Sequence, residues 1–101
     1  MDNARIFAVV RTRGLAWRPE LGLEQQADWR GHAVFMNALQ KEGFVQLGGP
    51  LGGTPDVLLI IRAASPEEIE ARLEADPWAV MDLLRIARIS PWTIRLGALP
   101  A

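Results

Sequence analysis

The chain has 101 residues, 50% of them apolar, a formal net charge of −1 and no cysteine. That length suits one domain over residues 1–101, with a core that surface-to-volume scaling keeps small. The charge balance argues against a nucleic-acid partner, the missing thiols exclude disulfides and thiolate zinc sites, and without a long apolar run or a signal-like opening a cytoplasmic protein with no membrane partner is expected.

The first strand is expected at "RIFAVVR", residues 5–11. Ile6, Ala8 and Val10 alternate with Phe7 and Val9, so both faces are apolar and both call for cover. "TRGLAWRPELG" reads as a loop. A long helix is expected to start before Asp28 and to run to about Glu42, with Phe35, Met36 and Leu39 as its apolar stripe and Asp28 and His32 continuing it upstream. Gly43 suits the left-handed residue that ends it.

"FVQLG" at 44–48 is a second, short strand, and "VLLII" at 57–61 a third, dense enough for the sheet centre. Between them "GGPLGGTPD" is turn chemistry, which favours antiparallel pairing. Ser65, Pro66 and Glu68 form a capping box and open a helix over 65–74. In the last third Leu84 and Ile86 alternate with Arg85 and Ala87. The phase breaks at Arg88 and resumes with Trp92, Ile94 and Leu96, so a bulge, bend or edge crossing is expected near Ser90–Pro91. The order β-α-β-β-α-β gives an α+β, ferredoxin-like fold: one antiparallel sheet with two helices on one face. The other face keeps its apolar residues. A homodimer through that open sheet face, with twofold symmetry, is the expected partnership.

Three segments carry a family likeness: "RGHAVFMNALQKEGFVQLGGPL", "VLLIIRAASPEEIEARLEADPW" and "ARISPWTI". Together they resemble the YCII-related family of small dimeric α+β-barrel proteins. The resemblance implies a βαββαβ subunit, a sheet-to-sheet dimer forming a dimeric α+β barrel, and a pocket near the first helix and the Asp-Pro segment. Family members have been proposed to use a His–Asp pair, and a few relatives act on small cyclic or aromatic-derived compounds. His32 matches the family histidine, Asp76 its acid, Trp78 the aromatic after Asp-Pro, and Gly49 and Pro50 the Gly-Pro after the second strand. The chain departs from the pattern in "WAVMDLL", where relatives often carry a glycine-containing turn, and in having no tyrosine.

His32 is the only side chain here that ordinarily gains or loses a proton near neutral pH. Asp76 would orient its ring, a division of labour that requires hydrogen-bond contact. Each residue also has a plain structural role: His32 as packing on an apolar stripe, Asp76 as the cap of a turn beginning at Pro77. Arg30 and Arg88 are candidate clamps for a carboxylate, or exposed solubilising charges. "GGPLGG" lacks the Lys-Ser/Thr ending of a phosphate loop and opens no helix, so it is not a nucleotide fingerprint. One histidine without cysteine gives no transition-metal ligand set, and no cofactor is expected, although a carboxylate-only magnesium site stays open.

Three functions follow: a small lyase or isomerase-type enzyme, a non-catalytic binder of a small organic ligand, or a structural or accessory subunit with a vestigial pocket. Contact between His32 and Asp76 beside a cavity favours the first. A cavity without that contact favours the second, and a filled interior the third.

Overall fold

The computed structural model describes residues 4–99. Its elements are β1 (Arg5–Arg13), α1 (Trp29–Lys41), β2 (Val45–Pro50), β3 (Asp56–Ala63), α2 (Pro66–Leu73), a one-turn α3 (Pro77–Val80) and β4 (Leu84–Pro91). A short 3-10 turn at Leu23–Gln25 lies in the long connection between β1 and α1. The strands form one antiparallel sheet in the order β2-β3-β1-β4, which is the split βαβ arrangement of ferredoxin-like folds.

Strand periodicity decides which side the helices cover. Phe7 and Val9 of β1 are wholly buried and share a cluster with Leu59 and Ile61 of β3, Leu39 of α1, and Ile69 and Leu73 of α2. Both long helices therefore lie on one face. Ile6, Ala8 and Val10 alternate with these residues and stand on the other face, half-buried, opposite Arg62, Ile60 and Leu58.

The closed α+β barrel expected from the family resemblance is not what the chain forms. Four strands in this order leave β2 and β4 as free edges, neither paired with the other, so the sheet is open. Closure would require strand tilt and stagger that bring the two edges together, and the register pairs each edge strand on one side only.

Three local expectations are corrected. α1 begins after Asp28, not before it: Asp28 takes a left-handed conformation (φ 50°) and caps the helix by accepting from the Gly31 backbone N–H. The β4 irregularity falls earlier than Ser90–Pro91. Val10 pairs with Arg88 and Arg11 with Ile86, so Ala87 is the extra residue. The bulge lets Ile86 and Ile89, three positions apart, both pack on the helix-side core, which a regular strand forbids. Finally, the alternation at Trp92, Ile94 and Leu96 is not a strand. The chain leaves the sheet after Pro91, with Trp92 N–H donating to the Ile6 carbonyl at 2.9 Å.

The helix ends follow their chemistry. The Ser65 hydroxyl accepts from Glu68 N–H, and the Glu68 carboxylate reaches back to the Ala64 N–H, one residue outside the expected box. Gly43 ends α1 at φ 89°, where a Cβ would be strained.

Candidate active site

The inward phase of β1 continues from Phe7 and Val9 to Arg11, and there the core changes character. Arg11 is 1% exposed, and its Nη1 donates to Asp76 Oδ2 at 2.8 Å. Asp76 is fully buried just before α3. One of its oxygens, Oδ1, accepts from the Trp78 N–H at 3.0 Å, so the expected capping role is real. The same carboxylate meets His32 Nδ1, at 2.9 Å to Oδ2 and 3.0 Å to Oδ1. Capping and pairing thus coexist on one group.

Burial pushes the Asp76 carboxyl up. Hydrogen bonds from His32, the Trp78 N–H and Arg11, together with the charge interaction with His32, outweigh that and hold it below the usual aspartate value. The ionised form is the resting form. An ionised carboxylate at Nδ1 fixes the neutral imidazole as the Nδ1–H tautomer and leaves Nε2 with its lone pair. Arg11 already supplies the counter-charge for Asp76, so the carboxylate is neutralised whatever proton His32 carries.

The ring is held in place as well as bonded. His32 stacks on Trp78 with centroids 3.8 Å apart and planes 5° from parallel. Trp78 is wholly buried and donates its indole N–H to the Ala27 carbonyl at 2.7 Å. Trp17 meets Trp78 edge-on, and Trp29 lies tilted against both Trp78 and His32.

Beside this cluster lies a cavity of about 460 Å³. α1 contributes His32 and Met36 to its wall, β1 contributes Arg11 and Arg13, and the β2–β3 hairpin contributes Gly49, Pro50 and Asp56. Trp17, Trp29 and Trp78 make much of the remainder apolar. One rim is the loop carrying Leu21, Gly22 and Leu23. Gln26, buried, staples that loop: its side-chain nitrogen donates to the Arg18 and Leu21 carbonyls, and its oxygen accepts from the Arg18 N–H. The near end of the loop is fixed by Gly14, whose N–H donates to the Leu83 carbonyl. A Cβ there would meet the Asp82 carbonyl at 2.2 Å.

Of the residues singled out in the sequence, the structure brings His32 and Asp76 into contact and sets His32, Trp78, Gly49 and Pro50 around one cavity. Arg30 and Arg88 stand apart. Both are exposed and neither lines the cavity; Arg88 pairs with Val10 on the opposite sheet face. The guanidinium at the site is Arg11, which sequence reasoning missed. Its signal was available: Phe7, Val9 and Arg11 share one strand face, and an arginine in phase with two core residues needs a buried partner.

The fold is shared with a solved dehydrochlorinase. The 5-chloro-2-hydroxyhydroquinone dehydrochlorinase from Burkholderia phenoliruptrix AC1100, solved in complex with 2,5-dihydroxybenzoquinone, superposes with a TM-score of 0.57 over 91% of this chain and 95% of that one. Sequence identity is 22%, so the likeness is one of fold. No family model and no curated protein matches the chain. No helix among the described residues is long and apolar enough to cross a membrane.

Proposed function

We propose that the chain is an acid–base enzyme of the lyase or isomerase type, related to the YCII family, with His32 as the group that moves the proton and Asp76 as its orienter. One observation carries this: the His32 Nδ1 contact to a buried, ionised Asp76, beside a cavity, which leaves Nε2 as the free basic atom. Nε2 takes a proton from a substrate carbon or hydroxyl, and the imidazolium so formed is stabilised by the carboxylate at Nδ1. In an isomerisation the proton returns to a different substrate atom. In an elimination the electron pair of the broken bond forms a double bond as the leaving group departs with its own pair.

The apolar, tryptophan-rich wall suits a small planar ring. The fold neighbour's activity on a chlorinated hydroxyhydroquinone supports hydroxylated rings as the compounds to try first. The test is turnover of a panel of hydroxylated and halogenated hydroquinones and ring carboxylates. His32→Ala is expected to lower kcat by about 10²–10⁴-fold, the range of acid–base catalysis. Unchanged turnover in that variant moves the chemistry elsewhere. The cavity alone would serve a non-catalytic binder equally well; the paired histidine is what favours the enzyme.

We also propose that the open sheet face associates with a second copy of the chain. Ile6, Ala8, Val10 and Leu58 form an apolar strip there, and Leu47 on the adjoining edge strand is 52% exposed. Sedimentation equilibrium at micromolar concentration should return twice the chain mass, and a strictly monomeric mass removes this proposal.

A further inference from the structure

Arg11 does more than neutralise Asp76. A guanidinium presents five N–H donors in a fixed plane. The two side-chain contacts of Arg11, to Asp76 Oδ2 at 2.8 Å and to the Met36 sulfur at 3.9 Å, both leave from Nη1. Nε is buried and has no hydrogen-bond partner, in a residue 1% exposed that forms part of the cavity wall. Among described residues it is the only buried side-chain polar atom left so. An orphaned buried donor is costly, and persists where something else satisfies it.

We propose that the Nε–Nη2 edge of Arg11 is the docking fork for an anionic oxygen of the ligand, a carboxylate or an ionised ring hydroxyl. With Nη1 committed to Asp76, the remaining edge is the side-on fork that holds two oxygens in the guanidinium plane. The Met36 thioether, unbranched and pliable, accepts from the same Nη1 and also lines the cavity, so it borders the guanidinium without occupying the Nε–Nη2 edge. The surrounding charge agrees: Arg11 and Arg13 line the cavity against Asp56 on the hairpin side. A ligand anchored in this way lies against the arginine that holds Asp76, and Asp76 in turn holds His32. The fork thus sets the ligand's position relative to Nε2. This inference rests on the proposed acid–base site for the ligand's location, but not on any turnover.

The test uses benzoate and benzamide, planar rings of equal size that differ in charge, titrated calorimetrically into the full chain. Benzoate is expected to bind about tenfold or more tightly than benzamide, the size of one charge-assisted hydrogen-bond contribution. The Arg11 Nε–H resonance in a ¹⁵N-labelled sample should shift on adding benzoate and not on adding benzamide. Arg11→Lys keeps a cation beside Asp76 but has no fork. It should retain the wild-type circular dichroism while the benzoate preference collapses. Equal affinity for the two probes, no benzoate binding, or an unmoved Nε–H resonance overturns the proposal. A His32→Ala variant that keeps turnover, with the benzoate preference intact, instead removes the acid–base function and leaves the fork standing.

Discussion

Phe7 and Arg11 sit on the same strand and the same face, four positions apart, and both are buried. Around Phe7 the buried cluster is made of aliphatic and aromatic side chains from both long helices and the sheet, with the Arg5 guanidinium 5.3 Å from the Phe7 ring centroid. Around Arg11 it is an ion pair, a histidine and three tryptophans beside a cavity. The first end gains stability from close packing, roughly 25 cal/mol per Å² of apolar surface removed from water. The second end carries buried charges whose desolvation offsets much of their attraction. A charged cluster next to empty volume is the less stabilising of the two ends, and it is the end on which the proposed acid–base role rests.

The comparison breaks most visibly at Asp76. Asp76→Ala leaves the Arg11 cation buried without its partner and uncaps α3, and should destabilise the fold by about 3–5 kcal/mol in urea denaturation. The same carboxylate contributes to the acid limb. Its folded-state pKa lies below its unfolded one, so the unfolded chain binds more protons in the interval between. Its stabilising contribution is full above the unfolded aspartate value of about 3.9 and is lost as pH falls through the folded value. A wild-type denaturation series over that window should show stability falling, with a shallower acid limb in Asp76→Asn.

At the apolar end, Phe7→Ala should cost about 3 kcal/mol through the cavity it leaves. Benzoate affinity should stay within about twofold, since distant sites are close to additive. A large affinity loss in Phe7→Ala would mean that the two ends are coupled. The smallest effect is expected at Ser65→Ala, about 1 kcal/mol for a lost helix cap, with no change at the cavity. Thermal melting resolves it as a shift of several degrees in a domain of this size.

Local signals read well in this chain, and non-local ones did not. The caps at Ser65 and Asp76 and the glycine end at Gly43 depend on neighbours within a few residues, and the sequence carries them, with only the Glu68 return contact shifted to the Ala64 N–H. The meeting of His32 with Asp76 spans 44 positions, and family resemblance, not spacing, suggested it. The bulge was misplaced because alternation reveals that the phase slips near Arg88, whereas only the partner strand decides that Ala87 is the residue left over. The barrel expectation failed for a similar reason: whether an edge is paired is a property of register, which no single strand encodes. Arg30 and Arg88 offer a guanidinium for a carboxylate, but both are exposed and neither lines the cavity. Arg11 was hidden by standing inside a strand, where only its phase with Phe7 and Val9 gave it away.

The position of β1 has a consequence for how the chain comes into being. It is the first of the four strands in order of synthesis, yet it lies inside the sheet, hydrogen-bonded to β3 on one edge and β4 on the other. On the ribosome it emerges with neither neighbour made. Arg11 leaves 65 positions ahead of the aspartate that will neutralise it. Contacts of such long sequence separation close late and slowly, because the loop entropy must be met before the contact returns anything. Until then an unpaired apolar ribbon with a bare cation at its end is exposed to whatever surrounds the nascent chain. A ribosome-stalled chain ending before Asp76 would hold Arg11 and His32 without the carboxylate that joins them.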